Sequence, residues 1–425
     1  MAKASDKREI YVYAHWEGMA DPVLMGTLYT ERLREKEVFS FDYNDGWLEK
    51  GFSNLLDPHL QLYPGLHYQN EEQNNFGIFL DSSPDRWGRI LMRRREAALA
   101  RANNRQENKL FETDYLLGVY DGHRMGGLRF KLEKEGVFLD DNKEIASPPW
   151  TSIRELEQIS LRLEEDDVLE DPEYLKWLRM LVAPGASLGG ARPKASIVGR
   201  DGSLWIAKFP SRNDQGDIGG WEIVTHELAT AAGIIMAKSK AQKFSSNQYT
   251  FLTKRFDRTA SGERLHFASA MTMLGYKDGQ DYKDGASYLE IVEFLATQGA
   301  NVEQDLEQLW RRIVFSTCVS NTDDHLRNHG FILSDKGWLL SPAYDINPVE
   351  TGAGLKLNIS ETDNALDLDL AMDVCELFRI SSVRAREIIG EVKSSVKNWK
   401  EIATKYGISR SEQELKAMAF KRAET

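Results

Sequence analysis

The sequence has 425 residues, which is longer than a typical single domain, so two or three structural units are expected. Hydrophobic residues make up 41% of the chain and charged residues 28%, a composition that supports buried cores and argues against a disordered protein. The formal net charge of −12 at pH 7 argues against nucleic-acid binding by bulk electrostatics. A local basic patch or a DNA-binding partner is still compatible with this charge.

The two cysteines, Cys318 and Cys375, lie in apolar helical patterns without metal-ligand spacing. We therefore expect buried thiols in a reducing compartment. The N-terminal residues 1–9 lack the apolar core of a signal peptide, and no run approaches the roughly 18 apolar residues of a membrane span. These features predict a cytoplasmic protein that does not enter a membrane.

The first third of the chain has the alternation of polar and apolar residues that is typical of strands. Residues 10–15, 24–29 and 38–43 follow this pattern, and residues 44–46 read Asn-Asp-Gly, a turn sequence. Residues 126–130 resemble a turn that leads into another strand. A β-rich N-terminal domain is therefore predicted.

A helix is predicted at residues 86–102, after a capping segment at residues 82–85 with proline near the first turn. This helix is rich in arginine, which we interpret as a solvated helix face, with contact to a partner or nucleic acid as the alternative. The arginines are Arg86, Arg89, Arg93, Arg94, Arg95 and Arg101.

The polar segment at residues 140–149 is the best linker candidate. Strand patterns return at residues 194–198, 204–209 and 248–256, around a helix predicted at residues 221–232. Beyond residue 257 nearly everything is typical of helix, including residues 288–297, 302–320, 381–403 and 411–420. We predict an α+β fold with three domains: a β-rich domain at 1–145, a small mixed lobe at 146–257 and a helical lobe at 258–425.

The segment from Asn321 to Asn328 carries the densest set of functional side chains. Asp323 and Asn328 are five residues apart, the separation between base and metal ligand in the kinase pattern H-R-D-x-x-x-x-N. Asp345 follows a predicted hairpin, as the second magnesium ligand of kinases does. The alternative is that these acids cap a helix and begin a turn. We favour a catalytic loop in which Asp323 is the base.

His325 lies within the same segment, and no second His or Cys stands at metal-ligand spacing from it. We assign it a supporting role, in which it braces the loop by hydrogen bonds or lies near the phosphates.

A glycine-rich segment at residues 184–194 precedes a predicted strand, so its N–H groups are suited to hold phosphates. It is not a Walker A loop, because Ala191 follows Gly190 where that motif requires Lys and then Ser or Thr. The alternative is a plain connector. The candidate phosphate-binding residues in this segment are Ser187, Leu188, Gly189, Gly190, Ala191 and Lys194.

Lys208 ends an apolar strand, as does the lysine of the kinase motif V-A-I-K that neutralises phosphate oxygens. An edge lysine that reaches water is the alternative. Glu222 and Glu227 lie on the following helix, and either is a candidate ion-pair partner for Lys208. Arg255 and Phe256 end the last small-lobe strand, where kinases hold adenine, so both are candidate adenine neighbours.

Together these segments resemble the HipA family, the kinase toxins of bacterial toxin–antitoxin pairs. The resemblance extends over nearly the whole chain and includes several motifs in the same order. The matching segments are residues 187–194, 206–210, 254–258, 321–331 and 340–345, with 26–28, 39–43, 79–85 and 126–130 in the N-terminal part.

The resemblance implies a two-lobed, protein-kinase-like fold preceded by the β-rich domain. It also implies that the chain is an ATP-dependent serine/threonine protein kinase, with Asp323 as catalytic base and Asn328 and Asp345 as Mg²⁺ ligands. Lys208 and residues 187–194 would hold the ATP phosphates. Ser187 matches the family's autophosphorylated serine, and a phosphate there would add negative charge where the loop must hold ATP.

The family's partner is a helix-turn-helix antitoxin (HipB-like) that binds operator DNA, so this chain is expected to reach DNA only through that partner. Its substrate would be a cytosolic protein. Two alternatives stay open. One is a lipid or small-molecule kinase, since a similar Asp-x-His-x-x-Asn motif occurs there. The other is a catalytically silent kinase-like regulator that binds the DNA-bound antitoxin.

Overall fold

The computed structural model describes residues 6–33, 35–52, 54–70, 72–143, 146, 148–165, 168–181 and 192–424. The chain divides into two compact units. The first comprises Met1–Ala207 with Asp257–Ala268, and the second comprises Lys208–Phe256 with Ser269–Thr425. Within the described ranges, no helix is both long and apolar enough to cross a membrane.

The first unit contains a five-stranded antiparallel sheet in the described residues, in the order β4-β3-β2-β1-β5. Along β3 the side chains alternate, so that Phe39, Phe41 and Tyr43 are buried while Val38 is exposed. One face of the sheet therefore forms a core, as the sequence pattern predicts. The strands are β1 (Asp6–Ala14), β2 (Val23–Leu33), β3 (Lys36–Tyr43), β4 (Leu66–Tyr68) and β5 (Leu128–Lys131).

The predicted helix at 86–102 is confirmed, and its N-cap is Asp85, whose side chain accepts a hydrogen bond from the N–H of Gly88. Arg89 forms a bidentate pair with Glu112 at 2.7 Å, so the arginine-rich face of this helix is only partly solvated. The helices of this unit are α1 (Asp45–Leu48), α2 (Gly77–Asp81), α3 (Arg86–Ala102), α4 (Glu112–Leu117), α5 (Ile153–Arg162) and α6 (Tyr174–Leu181).

The second strand region begins with β6 (Lys194–Val198) and β7 (Leu204–Lys208), which are adjacent in their sheet. In the second unit, β8 (Ser239–Gln242) pairs with β9 (Thr250–Lys254), and β11 (Gly330–Ser334) pairs with β12 (Gly337–Leu340). Both pairs are antiparallel, and the second is the hairpin predicted before Asp345. The short strand β10 is Phe267–Ser269.

The second unit is mainly helical, and α10 (Val302–Val319) forms its centre. Trp310 and Phe315 of this helix are fully buried, and α10 packs against α12 and α14. The helices are α7 (Ile218–Ala231), α8 (Ala270–Met273), α9 (Tyr288–Gln298), α10, α11 (Leu368–Asp373), α12 (Ser382–Val396), α13 (Trp399–Lys405) and α14 (Arg410–Glu424).

The helical pattern predicted at 381–403 is confirmed over most of its length, but it forms two helices and not one. The chain turns at Lys397 and Asn398, between α12 and α13. After this turn the Trp399 ring is buried and stacks on Phe420, with 4.5 Å between ring centroids. The break thus precedes a buried aromatic contact with a residue distant in sequence, which helical periodicity does not indicate.

Candidate active site

Lys208, at the end of β7, lies between two carboxylates of the second unit. Its Nζ is 2.5 Å from Oε1 of Glu222 on α7 and 2.7 Å from Oδ1 of Asp345. Burial alone would lower the pKa of Lys208, but Asp345 and Glu222 raise that pKa above its usual value. The ammonium group is therefore charged and held in one position.

The structure distinguishes the two candidate partners of Lys208. Glu222 is the partner, whereas Glu227 accepts hydrogen bonds from Lys405 at 2.8 Å and from the Tyr406 hydroxyl. Glu222 is flanked by the buried Trp221, Ile223 and Val224, so a carboxylate there needs an internal cation.

The segment after α10 presents Asp323 to solvent. The Asp323 side chain is exposed, while its carbonyl oxygen accepts hydrogen bonds from Nδ2 of Asn328 and from the N–H of His325, both at 3.0 Å. The N–H of Asn328 also donates to the His325 carbonyl at 2.8 Å. The loop backbone is thus fixed by internal bonds, and the Asp323 carboxylate is accessible.

The neighbouring carboxylate, Asp324, is buried beneath this loop. It accepts a hydrogen bond from the Tyr288 hydroxyl at 2.6 Å, and its Oδ1 lies 3.0 Å from Nε2 of His329. Ser316 donates a longer bond of 3.4 Å. Burial alone would raise the pKa of Asp324, but His329 and the hydrogen bonds lower it below its usual value. Asp324 therefore anchors the loop, and Asp323 is free to act chemically.

Asp345 follows β12 and has a left-handed backbone, with φ of 58°. Such a conformation is strained for a residue other than glycine and persists only where neighbours hold it. The next carbonyl, that of Ile346, accepts a hydrogen bond from the Thr225 hydroxyl of α7 at 2.8 Å. The N–H of Asn347 donates to Oδ1 of Asn321 at 3.2 Å. The segment is thereby tied to both α7 and the Asp323 loop.

The oxygen atoms of this site are suited to a hard cation. Oδ1 of Asn328 is buried and has no hydrogen-bond partner among the described residues. Asp345 adds a carboxylate. Mg²⁺ prefers one or two carboxylates with further oxygen ligands, so this donor set fits Mg²⁺. Across the part of the chain that the structure describes, no group of three His, Cys, Asp or Glu side chains is placed to hold a metal.

Most of the predicted phosphate-binding loop is not covered by the structure. Ser187, Leu188, Gly189, Gly190 and Ala191 lie outside the described residues.

Lys194 is described, and it is buried in the first unit. Its Nζ lies 3.0 Å from Oδ2 of Asp85, and its carbonyl accepts a hydrogen bond from Nε1 of Trp87 at 3.0 Å. The ammonium thus has a carboxylate partner within its own unit.

The predicted adenine neighbours follow β9. Arg255 is buried. The ring centroids of Phe256 and Tyr344 are 5.5 Å apart, and Tyr344 directly precedes Asp345 in the sequence. The Tyr344 hydroxyl donates to the carbonyl of Arg327 at 2.8 Å. His325 is half-buried, and its Nδ1 has no hydrogen-bond partner among the described residues.

Three residues that hold the candidate active site together are not predicted by the sequence patterns: Thr225, Tyr288 and Asn347. Thr225 lies three positions after Glu222, on the same face of α7, and this helical spacing is the available signal. Tyr288 is the first residue of α9 and is 36 positions away from Asp324, so no local pattern indicates the contact. Asn347 stands two residues after Asp345, near enough to suggest a shared role.

Comparisons with known proteins bear on the fold and the family. The model of the HipA-like C-terminal domain matches residues 186–399. Among solved structures, the chain is similar to one titled "Shewanella oneidensis MR-1 Toxin Antitoxin System HipA, HipB and its operator DNA complex". That match has a TM-score of 0.66 and 16% sequence identity, and it covers 98% of this chain and 96% of the other. The predicted α+β, protein-kinase-like fold class is thereby confirmed.

Two curated proteins are also similar in sequence. One, from Haemophilus influenzae, is named "Putative kinase" and is 25% identical over 183 residues, which cover 38% of this chain and 52% of that protein. The other, from Sinorhizobium fredii, is named "Putative kinase Y4dM" and is 28% identical over 157 residues, or 34% of this chain and 37% of that protein. The matches thus span about half the length of the first relative and less of the second.

Proposed function

The chain belongs to the HipA-like C-terminal domain family, and from this premise we propose that it is an ATP-dependent serine/threonine protein kinase. One observation carries the proposal. The segment from Asn321 to Asn328 has an accessible carboxylate on Asp323, with its backbone fixed by Asn328. In the same unit, Lys208 is held between Glu222 and Asp345. A positioned base, oxygen ligands and a fixed cation are the parts that phosphoryl transfer requires.

Asp323 is the proposed catalytic base. The hydroxyl oxygen of the substrate bonds to the γ-phosphorus, and the bond from that phosphorus to the β–γ bridging oxygen breaks. ADP leaves, and the hydroxyl proton passes to the Asp323 carboxylate. The exposure of this side chain supports the role, because a base must reach a hydroxyl on another molecule. His325 has a supporting role in the same loop.

Asn328 and Asp345 are the proposed Mg²⁺ ligands. Nδ2 of Asn328 donates to the Asp323 carbonyl, which directs the amide and leaves Oδ1 as an acceptor. When bound, Mg²⁺ neutralises charge on the phosphate oxygens. The same amide would thus fix the distance between the base and the cation.

Lys208 is proposed to neutralise the ATP phosphates, with Glu222 holding its ammonium in place. The glycine-rich segment, including Ser187, Leu188, Gly189, Gly190 and Ala191, is proposed to bind the phosphates through backbone N–H groups. Lys194 is the last residue of that segment. Because its ammonium pairs with Asp85, we propose that Lys194 supports the segment structurally. Arg255 and Phe256 are proposed adenine neighbours, supported by the aromatic pair of Phe256 and Tyr344.

We place this kinase in the cytoplasm as the toxin of a bacterial toxin–antitoxin pair. The solved structure to which the chain is similar is titled as a complex of HipA, HipB and operator DNA. By that likeness, the partner is a helix-turn-helix antitoxin, and operator DNA is reached only through it. The substrate is a cytosolic protein, and Ser187 is the proposed site of autophosphorylation.

Incubation with Mg·ATP followed by phosphate mapping with mass spectrometry tests the proposal. We expect phosphate on Ser187 of the parent chain and none on Asp323→Asn. Transfer to a lipid or small molecule, with no protein modified, would favour the lipid or small-molecule kinase. No transfer to any acceptor, together with intact antitoxin binding, would favour the silent regulator.

A further inference from the structure

The segment from Asp345 to Val349 is held by contacts with two other parts of the second unit. The Ile346 carbonyl accepts from Thr225, and the N–H of Asn347 donates to Oδ1 of Asn321. The N–H of Val349 donates to the Ser320 carbonyl at 3.2 Å. Pro348 follows Asn347, so the backbone of Asn347 is restricted to extended conformations. These bonds fix the backbone, but they do not fix the Asp345 carboxylate.

The Asn347 side chain contacts that carboxylate directly. Its Nδ2 donates to Oδ1 of Asp345 at 3.4 Å, a weak hydrogen bond that is longer than the usual range of about 2.7–3.2 Å. Its Oδ1 is buried and has no partner among the described residues. The same Asp345 oxygen accepts from Lys208 at 2.7 Å. Two donors from different parts of the chain thus converge on one carboxylate oxygen.

We infer that Asn347 is a positioning residue, whose side-chain N–H holds the Asp345 carboxylate in the direction required of a Mg²⁺ ligand. The inference rests on the proposed function, in which Asp345 binds Mg²⁺ and Lys208 binds phosphate. Lys208 then has a second task, and the Asn347 N–H is a neutral donor that acts on Asp345 in addition to the Lys208 ammonium. Asp345 lies outside the helices and strands, and its strained backbone, with φ of 58°, persists only where neighbouring contacts hold it.

The Asn347 side chain has two candidate roles, as a donor through Nδ2 or as a metal ligand through Oδ1, and a third case involves its backbone alone. If Asn347 acts through its N–H, replacement by Asp removes the donor and adds a negative charge beside Asp345. If it acts instead as a metal ligand through Oδ1, Asp keeps the oxygen and Leu removes it. If the residue matters only through its backbone bond to Asn321, neither replacement affects the cation.

The test measures Mn²⁺ affinity by electron paramagnetic resonance, with the full chain and a non-hydrolysable ATP analogue, so no turnover is needed. The variants are Asn347→Asp and Asn347→Leu, and the matched control is Asn398→Asp, at the exposed asparagine that is the N-cap of α13. Partners of metal ligands are typically worth 10–100-fold in metal affinity, so we expect both Asn347 variants to bind Mn²⁺ about tenfold more weakly. The control should match the parent.

Parental Mn²⁺ affinity in Asn347→Asp with a loss only in Asn347→Leu would overturn the inference and make Asn347 a ligand. Parental affinity in both variants would overturn it as well. Thermal unfolding shows whether each variant is folded. If one replacement prevents folding, the other still tests the inference. A parent chain that transfers phosphate while its Asn347 variants keep their Mn²⁺ affinity rejects this inference alone. A parent chain that neither binds Mn²⁺ nor transfers phosphate rejects the proposed function too.

Discussion

At the scale of single residues, the candidate active site depends on the buried Lys208 ammonium, which is held by the carboxylates of Glu222 and Asp345. Lys208 is nearly inaccessible to water, and both of its carboxylate partners lie within 2.7 Å. Such a cluster is weak evidence for stability, because removing three charged groups from water is costly. Removing the Lys208 ammonium is worse, since it leaves the two carboxylates close together without the cation between them. The cluster therefore serves to position the Lys208 ammonium and not to stabilise the fold.

Replacing Lys208 with Met is expected to lower the free energy of unfolding by about 3–5 kcal/mol, because Glu222 and Asp345 lose their cation. Adding Glu222→Gln should restore part of this stability but none of the phosphate transfer. Urea unfolding measures the first effect, and transfer from labelled ATP measures the second. Lys405→Met is the matched control, since its ammonium is exposed and pairs with Glu227 at the surface, and the expected change is within about 1 kcal/mol. Parental stability in Lys208→Met would contradict the expectation.

Asp324→Asn should change how the free energy of unfolding depends on pH. The pKa of Asp324 is lower in the folded chain than its usual value, so the ionised carboxylate stabilises the fold. This contribution is present above the unfolded pKa of about 3.9 and is lost as pH falls through the lower folded value. The parent should therefore lose stability more steeply than Asp324→Asn below about pH 4. Unfolding midpoints measured from pH 3 to pH 6 test this, and parallel curves would argue against it.

At the scale of elements, the helix α14 contacts two segments that adjoin the candidate active site, the end of α10 and the start of α7. Arg422 donates to the Ser320 hydroxyl at 3.0 Å and to the Leu366 carbonyl at 2.8 Å. Ser320 is the C-cap of α10 and itself donates to the Ala419 carbonyl. Near the start of α14, Glu412 accepts from the N–H of Asp217, the N-cap of α7. One helix thus supports both the Asp323 loop and the helix that carries Glu222.

Arg422→Met is expected to destabilise the second unit by roughly 1.5–3 kcal/mol, the range for hydrogen bonds from a charged group. It should also slow phosphate transfer several-fold, because the segment before Asp323 loses its contact with α14. Chemical unfolding and transfer rates provide the measurements. Arg410→Met serves as the control, because Arg410 is exposed at the start of the same helix. Equal behaviour of the two variants would show that the contacts with Ser320 and Leu366 are not required.

The sequence predicts those parts of the site that depend on local spacing. Asp323, Asn328 and the hairpin before Asp345 are separated by fixed short distances along the chain, so their relation follows from the motif. The partner of Lys208 does not follow, because Glu222 and Glu227 share one helix and only tertiary packing distinguishes them. The same holds for the contact between Tyr288 and Asp324, and for the break before Trp399, where side chains meet across long separations in sequence.

At the scale of the whole molecule, ligand binding should appear as a change in stability. A non-hydrolysable ATP analogue with Mg²⁺, at about 100 times its Kd, stabilises the folded chain by about 2.7 kcal/mol. We expect a higher midpoint of thermal unfolding in the parent, and little or no increase in Asp345→Asn at the same concentrations. Asp369→Asn, at an exposed position in α11, should respond as the parent does. An undiminished increase in Asp345→Asn would remove Asp345 from the binding site.

The most direct test of the central claim is the rate of γ-phosphate transfer by Asp323→Asn, measured beside its affinity for the same nucleotide. A general base contributes about 10²–10⁴-fold to rate, so we expect transfer to fall by at least about 100-fold. Nucleotide affinity should stay at the parental value, because the proposed role of Asp323 is to contact the substrate hydroxyl and not ATP. Transfer at the parental rate by Asp323→Asn would contradict the claim that this loop is the catalytic centre.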